Sequence, residues 1–379
     1  MPILRLSTLI SLLMFSSALL ASENGVTDGK IILGQSAVFS GDSAELGIRA
    51  NLGAMAYFDA LNARGGVAGR KVTLLKDDDN FEPSNALENT NQYIENDKVF
   101  ALFGYVGSST STAALALVNK AKLPFFAPLS GAAPLRDASN RYVFNTRASL
   151  LDEIRHSLEQ LSVMGIKRIA ILYQNDAEGK SAMTAVASAA QKLGLELAET
   201  ASVGRNAIAI GATGVSAKLL AKKPDAVIQL CSYLTSANLI KEMRKAGYLG
   251  QFFNTSMVGS SAFAAALGKD GIGVSISQVV PLPWNTRSPI VAEYQKAMQK
   301  AGHSVYDFTS LEGYIAAKTF SEIASKVGKD LNRERFIKTA ETMGNIDLGG
   351  YTINFGPNMH NGSSFVEMVV IGKNGSFLR

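Results

Sequence analysis

Phe100-Ala101-Leu102-Phe103-Gly104-Tyr105-Val106-Gly107-Ser108-Ser109-Thr110 reads as a strand, Phe100 to Gly104, that runs into a glycine- and hydroxyl-rich loop. An alanine-rich helix follows, from Thr112 to Lys122. A short unbroken apolar run closed by glycine has the length of a strand buried on both faces, as in a parallel sheet covered by helices. In the loop, free backbone N–H groups, hydroxyls and the positive end of a helix converge, which suits a carboxylate. Ligands of α/β proteins favour the carboxyl ends of strands. A plain serine cap would use the same residues, but a second loop of the same chemistry, Leu129-Ser130-Gly131-Ala132, follows the next strand. Two hydroxyl loops at one sheet edge make Ser108, Ser109, Ser130, Gly131 and Ala132 candidate ligand-binding residues.

Outward from this stretch the same alternation holds. Upstream lie a strand at Ile31 to Gln35, a helix carrying Ile48, Leu52 and Met55 that ends at Gly65-Gly66, and a strand at Val72 to Lys76. Downstream come a strand at Phe125 to Pro128 and an extended segment at Tyr142 to Asn145. A second series begins with a helix near Leu150 to Met164, the strand Arg168 to Gln174, a helix from Gly179 to Leu193 and the strand Glu196 to Ser202. It runs on through Ala226 to Leu230, a helix at Thr235 to Ala246, Phe252 to Asn254 and Val274 to Val280. Long helices at Ser288 to Lys300, Ser310 to Lys326 and Arg333 to Met343 precede a two-strand tail, Tyr351 to Phe355 and Phe365 to Ile371. Strand-helix alternation of this kind predicts an α/β fold with parallel-type sheets. No low-complexity linker separates the series, so two lobes packed side by side with a cleft between them are expected. The restart after Asn145 and the return of long helices after Pro281 predict lobes of 23–145 plus 281–345 and 146–280 plus 346–379.

The N-terminus carries Arg5, an apolar run from Leu6 to Leu20, and small or polar Ala21 and Ser22. That is a signal-peptide pattern over residues 1–22, with cleavage between 18 and 22, and it predicts export to the periplasm. The run is short for a membrane span. The single cysteine, Cys231, rules out an intrachain disulfide, a thiolate zinc cluster and a CxxC redox pair. Thirty-seven basic against thirty-two acidic residues leave a charge of +5. This surplus is too small and scattered to predict a nucleic-acid partner.

Catalytic and metal signatures are missing. His156, His303 and His360 stand apart, and no HExxH spacing occurs. Gly179-Lys180-Ser181 resembles the end of a phosphate loop, but Gln174 stands where its first glycine belongs. Neither GxGxxG after the first strand nor GxSxG is present. Asp77-Asp78-Asp79 lacks EF-hand spacing and reads as solvated acids at a strand end. No catalytic residue, cofactor or metal is predicted, and the protein is expected not to be an enzyme.

Taken together, Phe39-Ser40-Gly41 with Gly47, Asn62 to Gly69, Asp78-Asp79 before Pro83, and Gly104 to Ser108 form a recognisable order. Tyr173 to Asp176 with Gly179, Pro224 to Val227 and Glu312-Gly313-Tyr314 extend it. In these features the chain resembles the type I periplasmic binding proteins of the leucine/isoleucine/valine-binding family. The resemblance implies two Rossmann-like lobes joined by three crossovers. It also implies a small polar ligand, a branched-chain or related amino acid or another small carboxylate, held in the cleft for handover to an ABC transporter permease. By position, Ser108 matches the hydroxyl that holds the ligand carboxylate, Ser130 to Ala132 match a second loop sharing that work, and Leu46 matches an apolar wall. Tyr233 matches a tyrosine that faces the ligand from the other lobe. Two departures stand out: Glu178 replaces a usual aromatic, and Ser256 replaces the acid that holds the ammonium in amino acid binders. A monomer is expected. The alternative within the same fold is a ligand-sensing receptor or regulatory module.

Overall fold

The computed structural model describes residues 23–205 and 207–379, so the expected signal peptide, residues 1–22, lies outside the described residues. Five parallel strands form the first sheet: β1 (Lys30–Ala37), β2 (Lys71–Asp78), β3 (Ala101–Phe103), β4 (Phe125–Phe126) and β5 (Val143–Phe144). Their order across the sheet is β2-β1-β3-β4-β5. Helices α1 (Ala44–Asn62), α2 (Pro83–Glu95), α3 (Ser108–Ala113) and α4 (Leu115–Ala121) connect them. The helix expected from Thr112 is therefore two short ones, and it starts earlier, at Ser108.

The chain then crosses to a second sheet built from β6 (Arg168–Gln174), β7 (Glu196–Val203), β8 (Ala226–Leu230), β9 (Gln251–Asn254) and β10 (Ser275–Gln278). Between these strands run α5 (Leu150–Val163), α6 (Ala177–Lys192), α7 (Val215–Ala221), α8 (Tyr233–Lys245) and α9 (Ser260–Leu267). A second crossing returns the chain to the first half as α10 (Pro289–Lys300), α11 (Phe308–Val327) and α12 (Arg333–Thr342). A hairpin follows, β11 (Asn345–Asp347) with β12 (Thr352–Asn354). The third crossing brings β13 (Glu367–Ile371) and β14 (Phe377–Leu378) to the second sheet. These last two strands pair antiparallel, against an otherwise parallel sheet.

Sequence periodicity joins Tyr351–Phe355 and Phe365–Ile371 into one tail and places 346–379 in the second lobe. The structure separates them. Phe355 enters an aromatic cluster of the first half, with ring centroids 6.3 Å from Phe126 and 5.3 Å from Phe144. His360 stacks on Phe144 at 4.0 Å, and Asn145 exchanges backbone hydrogen bonds with His360 and Gly362. Burial of these rings outweighs chain proximity to β13, so residues 346–362 stay with the first half.

Two glycines explain how α11 lies so close on α1. A Cβ on Gly53 would sit 1.7 Å from the Ser310 carbonyl oxygen, and one on Gly313 would sit 2.1 Å from that of Ala50. No flexible side chain can yield there, because both obstacles are backbone. Gly53→Ala is expected to force the helices apart and cost about 1–3 kcal/mol, read as a lowered urea midpoint with unchanged slope.

Candidate functional site

The carboxyl ends of β3 and β4 face those of β6 and β8 across a cavity of about 560 Å³. This follows from the winding: in parallel α/β units every strand-to-helix loop leaves from the same sheet edge. The first half contributes Leu46, Phe81, Ser108, Ser109, Gly131 and Ala132. The second contributes Glu178, Leu230, Tyr233, Thr255 and Met257, among others. Seven of the nine residues singled out from sequence, namely Leu46, Ser108, Ser109, Gly131, Ala132, Glu178 and Tyr233, therefore line one space.

Ser130 and Ser256 do not. Ser130 is fully buried behind the wall. Its hydroxyl lies 3.0 Å from that of Ser108 and accepts the Ala132 N–H at 3.1 Å, which sets the loop in place. Ser256 turns away from the cavity: its N–H and hydroxyl donate to Glu153 at 2.8 and 3.0 Å, and its hydroxyl also meets Arg147. The neighbouring Thr255 and Met257 reach the cavity in its place.

Several of the charges in the cleft are compensated, although among the described residues the Asp137 carboxylate accepts hydrogen bonds only from Ser139. Asp176 caps α6, accepting the Gly179 N–H at 2.8 Å and a hydrogen bond from Gln174. It also pairs with Arg205 at 2.9 Å. Arg205 reaches across to the first half, donating to the Ser109 hydroxyl at 2.9 Å and the Phe81 carbonyl at 3.3 Å, with its guanidinium over the Phe81 ring. Arg136 donates to the carbonyls of Ser130, Arg147 and Ala148 and to the Asn361 side chain. Burial, reinforced by Arg147, lowers its pKa to about 10. Asp152 is occupied by its capping box with Ser149 and by Arg155.

Glu178 differs from these. It stands in the first turn of α6, half-buried, and no basic side chain pairs with it among the described residues. Burial and then the charge of Asp176 raise its pKa, partly offset by the Thr112 hydroxyl of the first half. The Tyr233 phenol is likewise raised, by burial and by Asp42 and Glu45. The Cys231 thiol is pushed up by burial, which keeps it protonated and a poor nucleophile. Among the described residues no group of three or more His, Cys, Asp and Glu could hold a metal ion.

A sequence profile describing periplasmic binding proteins matches residues 30–376. The chain belongs to that family. An amino acid binding protein of Pseudomonas aeruginosa is 22% identical over 80% of this chain and 81% of its own length. A Leu/Ile/Val-binding protein homolog of Brucella abortus is 25% identical, covering 85% and 83%. Among solved structures, a possible leucine/isoleucine/valine-binding protein from Rhodopirellula baltica superposes with a TM-score of 0.86 at 29% identity, over 95% of this chain and 98% of that one. The fold is that of the type I periplasmic binding proteins, whose members are solute-binding proteins rather than enzymes. No helix among the described residues is long and apolar enough to cross a membrane.

Behind the cavity of this periplasmic binding protein, the first crossing is anchored by a buried ion network. Arg147 pairs with Glu153 of α5 at 3.0 Å and with Glu312 of α11 at 3.1 Å. Glu153 also accepts the Ser277 hydroxyl at 2.6 Å, and Arg147 points at the Met257 sulfur at 3.2 Å. Burial opposes the charge on Arg147, but the two carboxylates outweigh it and raise its pKa. One side chain on the crossing thereby ties α5 of one lobe to α11 of the other. Neither Arg147 nor Arg205 was singled out from sequence, because the contacts that carry them across the cleft, Arg205 to Ser109 and Arg147 to Glu312, span 96 and 165 residues.

Proposed function

We propose that the protein is an exported receptor that captures a small carboxylate-bearing solute in its cleft and delivers it to an ABC transporter. Branched-chain or related amino acids are the first class to test, and other small carboxylates the second. The observation that carries this reading is the facing of Ser108, Ser109, Gly131 and Ala132 against Glu178 and Tyr233 across one cavity. Hydroxyls and N–H groups on one wall suit a carboxylate, and an acid without a basic partner on the other suits a donor or cation. The periplasm is the compartment proposed. A thermal-shift screen against amino acids, aromatic acids, polyamines and short peptides tests it, since a ligand of the folded state raises the melting temperature by mass action. No shift from any carboxylate would remove the reading.

Glu178→Gln keeps the shape of the side chain and removes its charge. For a ligand with an ammonium, affinity is expected to fall by more than about fivefold, and by less for the analogue lacking it. Calorimetry on both ligands checks this, and equal affinities for parent and variant would return Glu178 to a helix-end role.

A further inference from the structure

Three stretches carry the chain between the halves: residues 145–149 between β5 and α5, 279–288 between β10 and α10, and 363–366 ahead of β13. All three meet at one side-chain atom. The phenol oxygen of Tyr351, in the loop that joins β11 to β12, lies 3.0 Å from the Val279 carbonyl oxygen and 3.3 Å from that of Thr146. It also lies 3.0 Å from the Ser363 hydroxyl. Thr146 belongs to the first crossing, Val279 to the second and Ser363 to the third.

The hydroxyl chemistry allows these contacts together. A phenol has one hydrogen to donate and an oxygen that also accepts. Donation to the Val279 carbonyl, with the Thr146 carbonyl as the longer second acceptor, leaves the oxygen to accept the Ser363 hydroxyl hydrogen. The Ser363 oxygen in turn accepts the Phe365 N–H at 3.1 Å. Tyr351 is 3% exposed, and burial raises its pKa, so the phenol keeps its hydrogen at any physiological pH. Its ring packs edge-on to Phe365, with centroids 5.7 Å apart.

Tyr351 does not itself line the cavity, but Ser363 does, so one cavity-wall residue and the crossings share a hydrogen-bonded group. Rotation of one half against the other is absorbed by the backbone torsions of such connecting stretches. Groups anchored on three different stretches then shift relative to one another, and one phenol cannot follow them all. The contacts are made in the arrangement in which Arg205 reaches Ser109 across the cavity. They therefore favour that arrangement over a wider one, by as much as they differ between the two.

We propose that Tyr351 is a positioning residue, a pin through all three crossings that biases the two halves toward the arrangement in which the cleft walls face each other closely. The pin acts whether or not a solute is bound. Hydrogen–deuterium exchange of the protein without added solute therefore tests it, comparing the parent with Tyr351→Phe, which keeps the ring and removes the oxygen. Loss of the pin is expected to speed exchange by about two- to tenfold in 145–149, 279–288 and 363–366 together, the worth of one hydrogen bond, with β3 and β8 unchanged. Cys231, the single cysteine, lines the cavity and gives a second reading. Its labelling by a maleimide is expected to quicken by a similar factor as the cleft widens more often. Ser363→Ala removes one of the three contacts and leaves the phenol and both carbonyls in place. It is expected to give the same pattern with a smaller rise, and it carries the test if Tyr351→Phe does not fold. Faster exchange spread evenly over the chain, β3 and β8 included, would make the phenol a plain stabilising group and overturn the pin. So would a rise confined to one crossing or to 348–351, no rise in any crossing, or an unchanged Cys231 labelling rate.

Discussion

Arg147→Met is expected to destabilise the protein by about 3–5 kcal/mol, the loss that follows when one partner is removed from a buried ion network. Glu153 is inaccessible to solvent and Glu312 nearly so, and both would lose the guanidinium that compensates them. The variant should also show a distinctive pH dependence. Unpaired buried carboxylates have folded-state pKa values above their unfolded ones, so the folded state holds protons more tightly than the unfolded state. Stability must then rise as pH falls through those raised values. Urea unfolding at pH 5 and pH 8 should show the variant's deficit shrinking toward pH 5. A deficit under about 1 kcal/mol at pH 8 would mean that the network contributes little to holding the crossing. Because Arg147 joins α5 to α11 across the first crossing, the same variant is expected to loosen the relation between the lobes.

Ser108→Ala is expected to weaken ligand binding by roughly ten- to a hundredfold, since a hydrogen bond to a charged group is worth about 1.5–3 kcal/mol. The structure adds a reason for the fold to survive. Among the described residues the Ser108 hydroxyl has one protein partner, Ser130, which keeps its bond from the Ala132 N–H when Ser108 is truncated. Melting temperature without ligand should therefore stay within a few degrees of the parent, while calorimetry with the best carboxylate from the screen reports the loss. Unchanged affinity would take Ser108 out of the site.

Most of the residues singled out from sequence line one cavity, and the reason is topological. Once the strand at Phe100 to Gly104 and the following helix are recognised, α/β winding places the Ser108 and Gly131 loops at one sheet edge. Glu178 and Tyr233 begin helices after β6 and β8, and the same rule places them opposite. The two exceptions are instructive. Ser130 and Ser256 stand in the right loops, but orientation within a loop depends on which neighbour claims the hydroxyl. Ser130 is claimed by Ser108 and Ala132, and Ser256 by Arg147 and Glu153.

Local pattern by itself therefore determined the strand-helix alternation, the restart into a second α/β series and the loops that open toward the cleft, because each of these depends on residues within a few positions of one another. The tertiary structure alone decided where residues 346–362 pack, how Arg205 bridges Asp176 to Ser109, and how Arg147 binds the crossing to both lobes. Each of these depends on burial and charge compensation between segments far apart in the chain, and neither periodicity nor spacing carries that information.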